Sequence, residues 1–250
     1  MKTIYITLQG KGGVGKTITS SYLTQYLQEE NNKKDKKQKI KGIDTDPNNH
    51  SFRSIKKLKI ETLPLFDENQ QINERNFDKL IEIFFANQDS TFVIDNGATS
   101  FLPLISYLVD NDIMSMLQDK FNIVINIPIT GGEAQNDTLN GMKYIIDTFQ
   151  ENENVKFNIW INEFFGKVIE EGKSFEELEI YQQYKEHIHG VFTLPQVNPK
   201  TYGEDLRKMH KAKKIFSEIE ADSNYTLMEK QRLIGYKNKI FDALALIIEQ

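Results

Sequence analysis

Cysteine is absent from this 250-residue chain. Its absence excludes disulfide bonds, thiol catalysis and zinc–thiolate sites. Long apolar runs are missing too, because no stretch approaches the roughly 20 residues that a membrane-spanning helix needs. The first predicted strand begins at Thr3, which leaves no room for a signal peptide. We therefore expect a soluble, cytoplasmic protein with no membrane span.

An excess of positive charge is missing as well. The chain carries 31 lysine and arginine residues against 36 aspartate and glutamate residues, a net charge of −5. This balance argues against a nucleic-acid-binding footprint over the whole surface. The overall charge does not exclude a local basic patch. Residues 31–41 (NNKKDKKQKIK) either contact DNA or another acidic surface non-specifically, or form a solvated connection. No linker or repeat divides the chain, so residues 1–250 are expected to form a single domain with a substantial core.

The first twenty residues carry the clearest chemical signal. Residues 3–8 are apolar and β-branched, a glycine-rich loop follows, and apolar residues recur at helical spacing from Lys16 onward. In this context G-x-x-x-x-G-K-[ST] predicts a phosphate-binding loop, since backbone N–H groups and the positive end of the helix face one anion. A chance glycine turn is the alternative, which the flanking strand and helix disfavour. The residues expected to bind nucleotide are Gly10, Lys11, Gly12, Gly13, Val14, Gly15, Lys16, Thr17 and Ile18.

Two of these side chains have predicted chemical roles. Lys16 is expected to reach the β- and γ-phosphates, and the Thr17 hydroxyl to bind Mg²⁺. The predicted ligands are therefore ATP and Mg²⁺.

Acidic residues end two further predicted strands. Asp44 and Asp46 are two residues apart at the end of strand 39–44, so their side chains point the same way, and Pro47 ends the strand. Asp95 ends the apolar run 91–95. In phosphate-loop proteins, an acid at the end of such a strand holds the water shell of the metal. Ligands of a doubly wound sheet bind at the carboxyl ends of its strands, so all three acids are expected beside the glycine loop.

Strands and helices alternate along the whole chain. This alternation predicts an α/β fold with a doubly wound, mostly parallel β-sheet covered by helices on both faces. Trp160 lies between two isoleucines and is interpreted as core, and the amphipathic C-terminal helix is expected to dock on the body. Strands are predicted at 3–8, 39–44, 60–65, 91–95, 121–128, 157–162 and 191–194, and helices at 16–30, 73–87, 133–149, from Ser100 (as N-cap), after Ser174, from about Thr201 and at the C-terminus.

The second lysine of the loop points to a family. Lys11 gives the sequence Lys-Gly-Gly-Val-Gly-Lys-Thr, which resembles the deviant Walker A motif of the ParA/MinD/nitrogenase-iron-protein superfamily. The resemblance implies that Lys11 reaches the nucleotide of a partner subunit, that Asp46 orients the attacking water and that Asp44 lies near Mg²⁺. It also implies that Asn162 contacts the base. Each of these roles has an alternative: Lys11 is a solvent-facing lysine, residues 44–47 form an ordinary Asp-x-Asp-Pro turn, and Asn162 is a plain turn residue. The missing cysteines exclude the iron–sulfur function of the nitrogenase branch.

Several segments resemble a narrower group, the plasmid conjugal-transfer and stability ATPases of the TraL, StbB and MobD type. They are residues 8–16, 42–47, 92–98, 138–141, 201–206 and 232–233. Asn48-Asn49 replaces the Gln-Gly of chromosome-partitioning ParA proteins, and Asn96-Gly97 stands where their Walker B strand runs into proline.

This resemblance implies a Mg²⁺-dependent ATPase, slow and stimulated by a partner, that forms a homodimer with ATP. It would act with plasmid-encoded proteins in conjugal transfer and mobilisation, or in plasmid stability and partition. Two alternatives stay open: an ATP-dependent ligase like dethiobiotin synthetase, and a binding module that uses ATP only to control assembly.

Overall fold

The predicted strands assemble into one parallel sheet. A computed structural model describes residues 1–248, within which the main sheet has seven strands in the order β3-β2-β4-β1-β5-β6-β9, each pair parallel. Its strands are β1 (Lys2–Thr7), β2 (Lys39–Asp44), β3 (Glu61–Thr62), β4 (Ser90–Asp95), β5 (Phe121–Thr130), β6 (Val155–Asn162) and β9 (Ile188–Leu194). A small antiparallel hairpin, β7 (Ile169–Glu170) and β8 (Lys173–Ser174), lies outside this sheet.

Helices connect the strands and cover both faces. They are α1 (Lys16–Asn32), α2 (Asp78–Ala86), α3 (Phe101–Asp110), α4 (Ile113–Gln118), α5 (Gln135–Phe149), α6 (Glu179–Tyr184), α7 (Tyr202–Lys211), α8 (Phe216–Ile219) and α9 (Leu227–Ile248). None of the helices within residues 1–248 is long and apolar enough to cross a membrane.

The sheet residues alternate between two separate cores, as the two-residue period of a strand requires. On β1, Ile4 and Ile6 join a cluster with α2 to α6, whereas Tyr5 joins a second cluster with α1, α7, α8 and α9. Trp160 is buried in the second cluster and donates from Nε1 to Oδ1 of Asn126 at 2.9 Å. Its interpretation as core is confirmed, and so is the doubly wound architecture.

The C-terminal helix packs against the body as expected. Ile240, Phe241 and Leu244 of α9 are buried in the second cluster, and Ile247 and Ile248 pack against it. Burial of a helix stripe of this kind accounts for its amphipathic pattern.

Some local expectations were wrong. Ser100 precedes α3 without a side-chain capping bond; its hydroxyl oxygen lies 2.8 Å from Oδ1 of Asn96 and 3.0 Å from the Thr45 carbonyl oxygen, either of which can accept its single proton. The predicted strand 60–65 shortens to β3, and the predicted helix 73–87 begins with a 3₁₀ turn (Glu74–Phe77) before α2. The short elements α4, β7, β8 and α8 were not predicted, because segments of this length are too short to show a hydrophobic period.

Candidate functional site

The glycine loop between β1 and α1 adopts a left-handed geometry that its glycines permit. Gly13 and Gly15 have φ angles of 77° and 103°, a left-handed conformation that side chains disfavour. Lys16 begins α1 and its Nζ donates to the Lys11 carbonyl at 2.8 Å, so its ammonium lies under the loop. Burial lowers the pKa of Lys16, an effect that the charges of Asp95 and Asp46 oppose. The loop therefore surrounds a nearly buried cation, as a phosphate-binding site requires.

Gln9 anchors the loop from below, a role that the sequence did not reveal. Its buried Nε2 donates to the carbonyls of Pro128 and Thr138, each at 3.0 Å, and its Oε1 accepts the Gly10 N–H at 2.9 Å. A Cβ atom on Gly141 of α5 would lie 2.1 Å from that Oε1. The sequence offered one indirect signal, because residues 138–141 are among the segments that resemble the TraL, StbB and MobD group. In the structure, Thr138 and Gly141 of this segment pack against the Gln9 side chain.

Asp95 meets the first turn of α1. Its Oδ2 accepts the Thr17 hydroxyl at 2.7 Å, and its Oδ1 accepts the Ser20 hydroxyl at 2.9 Å. Burial raises the pKa of Asp95 to about 7, although both hydroxyl bonds oppose this rise. Ser20 was not predicted as a site residue, because a serine one turn into a helix carries no motif of its own.

Asp44 is fixed by two backbone groups. Its Oδ1 accepts the Asp46 N–H at 3.0 Å, and its Oδ2 accepts the Arg53 N–H at 2.9 Å. Burial raises the pKa of this carboxyl as well, while the two backbone bonds oppose the rise. Asp44 therefore fixes the backbone of the segment that carries Asp46, and it also lies beside Asp95 on the neighbouring strand.

The oxygen donors of the site fit Mg²⁺. The Thr17 hydroxyl and the Asp95 carboxylate are hard oxygen ligands and lie together, with Asp44 on the neighbouring strand. Within residues 1–248, no group of three or more histidine, cysteine, aspartate or glutamate side chains is placed to hold a metal. Mg²⁺ commonly keeps several waters and binds one or two protein oxygens together with substrate phosphates. Thr17 and Asp95 can supply the protein oxygens.

Asp46 faces the cavity above the loop. This cavity has a volume of about 410 Å³, and Gly12, Lys16, Thr17 and Asp46 are among the residues that line it. The Asp46 Oδ1 accepts the N–H groups of Asn48 and Asn49 at 2.9 and 3.0 Å, which orients the carboxylate.

The segment after β4 lies directly against Asp46. A Cβ atom on Gly97 would lie 2.6 Å from the Cγ of Asp46. A glycine is thus required where the segment after β4 passes Asp46, which explains why the strand runs into Asn96-Gly97.

Lys11 lies apart from the phosphate cavity of its own chain. Its side chain is 45% exposed, and its Nζ pairs with the Oδ2 of Asp137 on α5 at 2.6 Å. The structure therefore brings together Lys16, Thr17, Asp44, Asp46 and Asp95, and leaves Lys11 on the outer face of the loop.

A second cavity of about 470 Å³ adjoins the first. The two share Gly13, Gly15, Ile18 and His210 in their walls, and the second has a mostly apolar lining. Asn162 also lines it, with Nδ2 donating to the Val14 carbonyl at 3.0 Å and Oδ1 accepting the Phe164 N–H at 3.2 Å. A ligand with phosphates on the loop can thus place an apolar group beside Asn162.

The fold and loop together define the class of protein. A phosphate loop at the carboxyl edge of a doubly wound parallel sheet is the architecture of the P-loop NTPase fold. The MinD cell division protein of Aquifex aeolicus aligns with a TM-score of 0.50 and 15% identity, over 97% of this chain and 98% of that one. At this identity the likeness concerns the fold alone.

Sequence comparison gives the family. One TraL protein of Escherichia coli is 38% identical over 245 residues, and another from the same organism is 36% identical over 245 residues. Each alignment covers 98% of both chains. No protein-family model matches the chain. The chain belongs to the TraL family, as the resemblance of its motifs predicted.

Proposed function

We propose that this protein is a Mg²⁺-dependent ATPase that forms a homodimer when it binds ATP, and that it serves plasmid transfer and mobilisation or plasmid stability and partition in the cytoplasm. The observation that carries the proposal is the arrangement around Lys16: a nearly buried ammonium under a glycine loop, with the Thr17–Asp95 pair and Asp46 beside it. Kinship with TraL proteins supports the plasmid role.

Each residue would contribute charge or position, because phosphoryl transfer needs little covalent help from the protein. The loop N–H groups and Lys16 neutralise the phosphate oxygens, and Thr17 with Asp95 holds Mg²⁺ and its waters, near Asp44. Mg²⁺ supplies additional charge neutralisation on the phosphates. Asp46, oriented by the two N–H groups that it accepts, aligns the attacking water.

Lys11 supports the dimer. Because its ammonium lies on the outer face of the loop, it is exposed to a second copy that approaches this face. In the dimer, Lys11 exchanges its pairing with Asp137 for the phosphates of the facing subunit. Turnover would be slow, since a switch needs a long-lived ATP state, and a plasmid-encoded partner or non-specific DNA would accelerate or direct it.

The test uses three alanine variants with a matched control. Lys16→Ala should lose ATP binding, Asp46→Ala should bind ATP and dimerise but release phosphate at least about 100-fold more slowly, and Lys11→Ala should bind ATP yet stay monomeric. Lys156→Ala, an exposed lysine at the opposite end of β6, should behave like the unmodified protein.

Light scattering with a non-hydrolysable ATP analogue and Mg²⁺ measures the dimer, and phosphate release measures turnover. The proposal fails if the unmodified protein stays monomeric with the analogue and Lys11→Ala leaves turnover unchanged. Turnover that depends on an added carboxylic acid, and not on plasmid proteins or DNA, would instead indicate the ligase alternative.

A further inference from the structure

Helix α7 is followed by a lysine at a position that glycine usually occupies. The Lys213 N–H donates to the His210 carbonyl at 3.0 Å and the Lys214 N–H donates to the Met209 carbonyl at 3.2 Å, which are the two bonds of a Schellman motif. Lys213 therefore has the left-handed conformation of this motif, with a φ of 55°. Glycine is the usual residue there, because a side chain in this conformation destabilises the fold. A residue that costs stability in this way is a candidate for a functional role.

The charge of Lys213 has no partner inside the protein. Its side chain is exposed and, within residues 1–248, its ammonium makes neither an ion pair nor a hydrogen bond. The next residue, Lys214, is by contrast paired with Asp222. A lysine near the end of a helix can bond the last carbonyl groups, but the Lys213 ammonium bonds none of them in the part of the chain that the structure describes. Stabilisation of the helix end thus does not account for this lysine.

Lys213 lies in the wall of the phosphate cavity. Lys16 and Thr17 line this space of about 410 Å³ from the glycine loop, and Lys213 lines it from the end of α7. The end of α7 is tied to the helix that begins at the loop, because Nε2 of His210 lies 3.0 Å from the hydroxyl oxygen of Tyr22 on α1. An unpaired ammonium therefore borders the space in which phosphates would bind.

We infer that Lys213 binds the phosphate chain of the nucleoside triphosphate, as a second cation that the same chain supplies besides Lys16. The inference rests on the proposed nucleotide binding at the loop. An ammonium that donates to a phosphate oxygen forms a charge-assisted hydrogen bond, which is stronger than a bond between neutral groups. This gain in ligand binding accounts for a lysine at a position where glycine would give a more stable fold.

Lys213→Gly tests this inference, because its two expected effects have opposite signs. Glycine relieves the left-handed backbone, so the urea midpoint of unfolding should rise by about 0.2–0.5 M. Isothermal titration with Mg²⁺ should show that ATP and inorganic tripolyphosphate each bind about 10- to 100-fold more weakly, the range for one charge-assisted hydrogen bond. Lys213→Gln keeps the left-handed side chain and should lose the same affinity without the rise in midpoint. Lys213→Arg keeps the charge and should bind both ligands within about threefold of the unmodified protein.

Lys59 provides a matched control. It is an exposed lysine with a φ of 56°, and its N–H donates to the Lys56 carbonyl, three residues back, at 3.2 Å. It lines neither the phosphate cavity nor the cavity beside it. Lys59→Gly should therefore raise the urea midpoint by a similar amount and leave both affinities unchanged.

Unchanged affinities in both Lys213→Gly and Lys213→Gln would overturn the inference. Weaker binding of ATP alone would overturn it too, since the contact would then be with the nucleoside. An equal loss of affinity in Lys59→Gly would show that the effect does not depend on the place of the lysine. If the unmodified protein binds neither ATP nor tripolyphosphate, the proposed function itself is wrong. If it binds both, and the Lys213 variants bind them equally well, that function stands without Lys213.

Discussion

The buried carboxyl of Asp95 makes stability depend on pH in a direction opposite to that of an ordinary salt-bridged acid. Burial raises its pKa from 3.8 to about 7 in the folded protein. Between these values the folded state holds a proton that the unfolded state has released, so the free energy of unfolding falls as pH rises. The slope is about 1.4 kcal/mol for each pH unit well below pH 7 and falls to half of this at pH 7, which gives a loss of about 2 kcal/mol between pH 5 and pH 7 and little more above pH 7.

The matched perturbation is Asp95→Asn, which keeps the size of the side chain and removes the titration. Urea unfolding of both proteins without Mg²⁺ or nucleotide, at half-unit steps from pH 5 to pH 8, gives the difference in unfolding free energy. Relative to the variant, the unmodified protein should lose about 2.5 kcal/mol over this range. Because the comparison is a difference, the titrations of other groups largely cancel. A difference that is constant from pH 5 to pH 8 would refute the assignment of a buried, protonated Asp95.

Two close approaches of glycine give further predictions. Gly97→Ala should displace Asp46, since its Cβ would lie 2.6 Å from the Asp46 Cγ, and should slow phosphate release about 100-fold with ATP affinity retained; a normal rate would show that Asp46 does not need its observed position. Gly141→Ala should lower the free energy of unfolding by about 2–4 kcal/mol, because its Cβ would lie 2.1 Å from the Oε1 of Gln9 and break the buried bonds of that side chain. Gly235→Ala is the matched control: no atom lies within 4 Å of its added Cβ in α9, so urea unfolding should show a gain of about 0.5–1 kcal/mol. Equal effects at the two helix positions would contradict the role of Gln9.

The site residues that the sequence predicted are those whose roles follow from a strand end or a loop. Strand β2 was predicted at its observed limits, and the strand ending at Asp95 began one residue earlier than expected. In a parallel sheet these positions fix Asp44 and Asp95 at one edge, and their register pairs them directly. The parallel sheet and the position of Asp95 beside the glycine loop could thus be anticipated from local pattern and general topology.

The residues that were missed make contacts across long sequence separations. Gln9 binds groups 119 and 129 residues away, and Ser20 bonds Asp95 across 75 residues. Nothing adjacent to either residue in the sequence reports such a partner.

The contacts also divide the site into a rigid part and a responsive part. Thr7, Ser20 and Asp95 form one hydrogen-bonded set, since the Ser20 hydroxyl lies 2.8 Å from that of Thr7 and 2.9 Å from Asp95. This set joins β1, α1 and β4, so the loop cannot shift without breaking buried bonds. Lys11 and the residues from Asp46 to Asn49 are by contrast half-buried or exposed, held by one exposed ion pair, by local turns and by a 2.9 Å hydrogen bond from Asn48 Nδ2 to the Thr99 hydroxyl oxygen. An exposed ion pair is worth about 0–1 kcal/mol, so binding of a triphosphate can readily redirect Lys11. A nucleotide-dependent change should therefore occur in Lys11 and the Asp46 segment, while the sheet and α1 keep their geometry.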